Sequence, residues 1–217
     1  MMGLLTLLSR FLMATLVAQY VGAKTYEPVM VSVYYEALCP DSIDFVLEQL
    51  WPTYKKIPKI IQLDLVPHGK ARTRMLNDGT WFFSCQHGEN ECYGNLVQTC
   101  AIQLLNNTDQ SLSFIHCAMS SPHPNSAGPK CADKLKLAYE PISKCVNSEQ
   151  GNKWQHKMAE KTDKQKLLHD FVPRIVINGE YSRKNQNKAL YDFTGLVCKT
   201  YRGPKPEECH ETKDDDL

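Results

Sequence analysis

The sequence has almost no net charge: 25 basic residues stand against 24 acidic ones in 217, and no basic stripe carries interleaved aromatics. Nucleic-acid binding needs such a stripe, so nucleic acid is not an expected partner. Beyond residue 23 no apolar run approaches the roughly 20 residues of a membrane-spanning helix, so no span is expected. His-Glu-x-x-His, Gly-x-Ser-x-Gly and a phosphate-cradling glycine loop are all missing. Metalloprotease, α/β-hydrolase and P-loop chemistry therefore lack their usual carriers. No internal repeat appears.

Cysteine, by contrast, is plentiful, with nine in the chain. Residues 1–23 are apolar around a core from Phe11 to Val21 and end in the small residues Gly22 and Ala23. That pattern predicts a cleaved signal peptide and a soluble protein of the secretory pathway. In such an oxidising compartment cysteines pair as disulfides. Nine is odd, so at least one thiol is free or shared with another molecule.

Val29 to Tyr35 is β-branched and aromatic, which predicts a buried strand. After Cys39-Pro40-Asp41-Ser42, the residues Ile43, Val46, Leu47, Leu50 and Trp51 line one helix face, with Pro52 as its expected end. Pro40 suits a first helical turn, so Cys39 is expected where a strand turns into a helix. Ile60 to Val66 predicts a second strand, joined to the first by a right-handed crossover. The expected division is 24–66 as a first α/β part, 67–150 as a cysteine-rich helical insertion, 151–202 as a second α/β part and 203–217 as a polar tail. Within the insertion, helical patterns run through Asn95-Leu96-Thr99-Cys100-Leu104 and through Leu135-Tyr139-Ile142. The second α/β part is expected to hold a polar helix over 152–169 that buries Trp154, Met158 and Leu168. A strand over 171–179 follows, entered through Pro173 and closed by the hairpin signal Asn178-Gly179. A single last helix presents Leu190, Phe193, Leu196 and Val197.

The thiolate, not the thiol, is the nucleophile. A helix start offers unpaired backbone N–H groups and the positive end of the helix dipole, both of which favour negative charge on Cys39. A structural disulfide from Cys39 into the insertion is the competing reading. Cys85, Cys92 and Cys100 with His87 also have the residue types and short spacing of a zinc site. In an oxidising compartment disulfides are the preferred reading for these cysteines. Asn106-Asn107-Thr108 is a glycosylation sequon on Asn106.

The stretch Cys85-Gln86-His87-Gly88, two residues, Glu91-Cys92, two residues, Asn95, four residues, Cys100 resembles the signature of the gamma-interferon-inducible lysosomal thiol reductase (GILT) family. With the upstream cysteine and the later proline strand, the resemblance covers essentially the whole chain after the signal segment. It implies a thioredoxin-like α/β fold carrying a disulfide-rich helical insertion. It also implies a secreted, endosomal or lysosomal protein that reduces disulfides of other proteins, in a family tied to host defence. Pro173 would then be a cis proline facing Cys39. His87, Glu91 and Asn95 could line the active face, but are read here as helix caps or loop-pinning partners.

One departure matters. The family carries Cys-x-x-Cys where this chain has Cys39-Pro40-Asp41-Ser42, so the resolving position is a serine. A serine hydroxyl cannot attack a mixed disulfide, and the intramolecular release step is lost. Cys39 then has no partner, and Cys85, Cys92, Cys100, Cys117, Cys131, Cys145, Cys198 and Cys209 form an even framework of unassigned pairing. The expected function is an attenuated oxidoreductase needing no bound cofactor, only an external thiol such as cysteine or glutathione. A covalent trap for partner proteins and a catalytically inactive secreted interaction protein are the alternatives.

Overall fold

The computed structural model describes residues 25–166 and 171–210. The expected signal peptide, Leu168 and the acidic terminus lie outside them. Strand β1 (Val29–Tyr35) is buried at every position but Met30 and occupies the centre of a three-stranded sheet. It pairs in parallel with β2 (Ile61–Pro67), Val33 opposite Leu65. On its other side lies the antiparallel β5 (Arg174–Ile177), Val33 opposite Ile175. A strand with neighbours on both edges and both faces covered has no solvent face to mark with polar residues, hence the near-continuous apolar run.

Between β1 and β2 the chain forms α1 (Pro40–Asp44), a π-helical stretch Phe45–Leu50 and α2 (Trp51–Lys56). Pro52 therefore does not end the helix. Proline lacks an N–H and crowds the carbonyl four residues back, and the wider π turn ahead of it absorbs that conflict. The helix stops at Ile57 instead, before Pro58.

The insertion holds α3 (Glu89–Leu105), α4 (Thr108–Met119), α5 (Gly128–Lys134) and α6 (Tyr139–Val146). It also holds a two-stranded hairpin that the sequence pattern does not announce, β3 (Arg72–Met75) with β4 (Trp81–Ser84). The Leu135-Tyr139-Ile142 pattern is not one helix. Lys136, at φ 56°, takes a left-handed conformation that closes α5, and α6 starts anew at Tyr139.

The polar helix α7 runs Glu149–Asp163, earlier than expected, because Ser148 caps it by accepting the Gly151 N–H. Past β5 the Asn178-Gly179 turn makes a single bridge, Ile177 to Glu180, rather than a second strand. Ser182 accepts the Asn185 N–H and starts α8 (Arg183–Tyr191) before a hairpin can extend. The expected last helix is likewise two. Asp192 leaves helical geometry and caps α9 (Phe193–Thr200) by accepting the Gly195 N–H.

Two large apolar clusters result. One packs β1, β2 and β5 against the π-helical stretch and α9 through Val31, Val33, Phe45, Leu50, Ile175 and Phe193. The other lies within the insertion, around Val97, Phe114, Ala118, Ile142 and the bridged Cys100, Cys131 and Cys145. Helix α4 belongs to both, offering Leu112 and Ile115 to the first and Phe114 and Ala118 to the second. Among the described residues no helix is long and apolar enough to cross a membrane.

Candidate functional site

The site begins where β1 ends. Glu36, Ala37 and Leu38 carry the chain from the sheet to Cys39, which occupies the N-cap position of α1. The Cys39 carbonyl accepts the Ile43 N–H at 3.0 Å, so the sulfur sits at the head of the first turn. Its Sγ lies 3.8 Å from the Val172 carbonyl oxygen, and only 7 % of the residue is exposed. The next peptide bond, Val172–Pro173, is cis. Gln186, fully buried on α8, holds this segment: its Nε2 donates to the Pro173 carbonyl at 3.0 Å and its Oε1 accepts the Ile175 N–H at 2.9 Å. Sequence reasoning missed Gln186, because nothing in a polar helix marks the one glutamine that turns inward.

Ser42 is fully buried and its Oγ accepts the Glu36 N–H at 3.3 Å. The hydroxyl thus serves the backbone of the Cys39 loop. Phe45, Phe171, Pro173, Leu190 and Tyr191, with the acidic Asp41, Asp44 and Glu48, line an open groove of about 280 Å³.

The signature residues lie against the same loop. Asn95 is buried and its Oδ1 accepts the Ala37 N–H at 2.8 Å, pinning the chain two residues before Cys39. Glu91 Oε1 accepts the His87 N–H at 3.1 Å, and Glu91 Oε2 lies 2.5 Å from His87 Nδ1. Gly88, at φ 81°, is the N-cap of α3. Gln86 leads into that turn. Glu36, which carries no motif, completes the cluster: its Oε1 accepts the Lys70 N–H at 2.7 Å and its Oε2 faces His87 Nδ1 at 3.5 Å. Burial pushes the Glu36 carboxyl above the usual carboxylate range. The Lys70 N–H pulls it back and the charge on Glu91 adds to the rise. Gly69 is required here twice over. Its φ is 59°, and a Cβ would stand 2.2 Å from the Glu36 Cγ.

Eight sulfurs are bridged: Cys85–Cys92, Cys100–Cys145, Cys117–Cys131 and Cys198–Cys209. The sulfurs of the conceivable zinc set with His87 are thus consumed in disulfides. Cys39 is free. Asn106 ends α3 in a left-handed conformation and is exposed.

Comparison with known proteins agrees with the architecture. DsbA of Chlamydia trachomatis superposes with a TM-score of 0.50 at 14 % identity, covering 80 % of this chain and 90 % of that one. The fold is thioredoxin-like, with disulfide-rich helices. Residues 30–135 match the family model described as gamma interferon inducible lysosomal thiol reductase. The gamma-interferon-inducible lysosomal thiol reductase of Carassius auratus is 38 % identical over 84 % of this chain and 72 % of its own. GILT-like protein 1 of Drosophila melanogaster is 34 % identical over 92 % and 84 %. A chain 38 % and 34 % identical to two such relatives along most of its own length and of theirs belongs to the gamma-interferon-inducible lysosomal thiol reductase family.

Proposed function

We propose that this protein is a thiol–disulfide oxidoreductase of the secretory or endosomal–lysosomal route, attacking protein disulfides through Cys39 and relying on an external thiol for release. One observation carries this reading. Of nine cysteines the single free one stands at a helix start, its sulfur against the Val172 carbonyl. The thiol reductase names of the relatives support it, and four bridges suit an oxidising compartment.

In the first exchange the Cys39 thiolate attacks one sulfur of a substrate disulfide. The Cys39–S bond forms as the substrate S–S bond breaks, and the other substrate sulfur leaves as a thiolate. A second cysteine three residues on would normally attack this adduct; Ser42 cannot. A small thiol, of the cysteine or glutathione type, attacks instead, and a second equivalent completes the turnover. The net change is a substrate disulfide and two small thiols becoming a substrate dithiol and one small-molecule disulfide. Access to Cys39 and the supply of small thiol then limit the rate, which makes the activity weaker than that of a Cys-x-x-Cys relative.

The test is reduction of a protein disulfide by the purified protein, at acidic and neutral pH, with and without added cysteine. Activity should require the added thiol and vanish in Cys39→Ala. In Ser42→Cys the two sulfurs sit three residues apart at a helix start, with Cα atoms about 5 Å apart, a span a disulfide bridges. That variant should gain turnover at low thiol concentration. A wild type inactive with and without thiol, beside an active Ser42→Cys, would remove the enzymatic reading and leave an interaction protein on a competent scaffold.

A further inference from the structure

Outside the thiol itself, one cluster has no role in the exchange chemistry. One carboxylate oxygen each from Glu36 and Glu91 and a ring nitrogen of His87 lie within 4.8 Å of one another. Each glutamate commits its Oε1 to a backbone N–H, of Lys70 or of His87, and turns its Oε2 toward His87 Nδ1. Both carboxylates are fully buried, while a third of the His87 side chain is exposed, so the cluster opens to solvent on that side only. Glu36 Oε2 is buried without a hydrogen-bond partner. A buried polar atom without a partner is costly, and this one is aimed at the other two donors.

We propose that Glu36, His87 and Glu91 bind a divalent cation of the zinc class. Two carboxylate oxygens and one imidazole nitrogen together offer a doubly charged ion a charge-balancing donor set. One imidazole nitrogen with two carboxylate oxygens, and a fourth position open to solvent, is a three-ligand zinc set. Calcium and magnesium prefer more, all-oxygen ligands than this corner supplies. Around a tetrahedral ion with bonds of about 2.1 Å, donors stand about 3.4 Å apart. The Glu36–His87 separation of 3.5 Å already meets this, and the 2.5 Å His87–Glu91 contact opens by rotation of the exposed ring. The bound ion ties Glu36, three residues before Cys39, to the first turn of α3, so it restrains the loop that carries the thiol.

Zinc also binds thiolates, so the test uses the full chain carrying Cys39→Ala, titrated calorimetrically with a zinc salt at neutral pH. One site per chain is expected, weakened about tenfold or more in Glu36→Gln and in His87→Asn. X-ray absorption of the zinc-loaded Cys39→Ala protein should show only nitrogen and oxygen neighbours at about 2.0–2.2 Å. Glu91 is left intact because it also holds the His87 N–H; if Glu36→Gln does not fold, His87→Asn alone decides. Absence of stoichiometric binding, equal affinity in the variants, or sulfur in the zinc shell each overturns the proposal. None of these readouts involves disulfide exchange, so they stand apart from the oxidoreductase reading.

Discussion

The two halves of this molecule are held by different forces. Around the three-stranded sheet the buried cluster is aliphatic and aromatic, with neighbours drawn from both ends of the chain: Val31 and Val33 on β1, Ile175 on β5 and Phe193 on α9. In the insertion the cluster is thinner, several of its members are alanines, and three of its buried residues are half-cystines. A core of small side chains gains less from burial, so covalent closure of the unfolded chain supplies part of what packing does not. The halves meet through α4, which packs into both, and through a buried polar seam. Along that seam Tyr35 donates to Gln98, Thr99 donates to Gln155, and Gln155 Nε2 donates to the Pro67 carbonyl.

The sharpest way to break this comparison is to remove a staple. Cys100–Cys145 closes a separation of 45 residues, and Cys85–Cys92 closes 7. Loop-closure entropy makes the first worth about 4 kcal/mol and the second about 2 kcal/mol. Replacing each pair with alanines and measuring urea unfolding should reproduce that order. Hydrogen exchange on the Cys100→Ala, Cys145→Ala protein should show lost protection in α3 and α6 while β1 keeps its own. Equal loss in both halves would mean that they are a single cooperative core after all.

The seam offers a second, smaller lever through acid. His68, 1 % exposed at the end of β2, has its ring at the edge of Phe83 and its Nδ1 3.4 Å from the Gln155 Nε2. Burial pushes its pKa down from 6.5 to about 4; the Ala71 backbone opposes the shift, and the positive charge of His156 on α7 adds to it. Because the folded value is the lower one, the unfolded chain binds the extra proton first. The contribution of a neutral His68 is thus fully present above pH 6.5 and is lost as pH falls toward 4, by at most about 3 kcal/mol. Unfolding free energy measured across this range should fall with acidification, and His68→Gln should flatten the slope even if its neutral-pH stability is lower. An unchanged slope would place the acid sensitivity elsewhere.

How much of this was legible follows from how local each signal is. The β1–helix–β2 opening shows in the sequence because a β-branched run and a 3.6-residue apolar period are each contained within a few turns of chain. Cys39, Ser42 and Pro173 stand out by spacing and resemblance. The β3–β4 hairpin does not show, because its residues are mostly exposed or half-exposed and no apolar alternation marks a buried face. Pro52 inside a helix is misleading for the opposite reason: the π turn that accommodates it depends on the packing of Phe45, Val46 and Leu50 against the sheet. Glu36 is the clearest gap in the site. It reads as an ordinary strand-end glutamate, and only the fold brings His87 and Glu91 to its carboxylate, from more than fifty positions away.

Asn95 gives the smallest expected effect and the most direct link between the halves. It belongs to the stapled insertion, yet its one described contact across the boundary is the Oδ1 that accepts the Ala37 N–H beside Cys39. Asn95→Ala leaves that buried N–H without an acceptor, at a cost of about 2 kcal/mol. Asn95→Asp keeps an acceptor in place, though with a buried charge that Ala37 alone does not balance. If the insertion holds the thiol loop rather than merely abutting it, Asn95→Ala should alkylate faster at Cys39 than wild type, under conditions where the whole protein remains folded. The four disulfides, read from the same alkylation experiment by mass spectrometry, should stay closed. A stability loss without faster labelling of Cys39 would reduce Asn95 to a packing residue and leave the loop governed by its own half of the molecule.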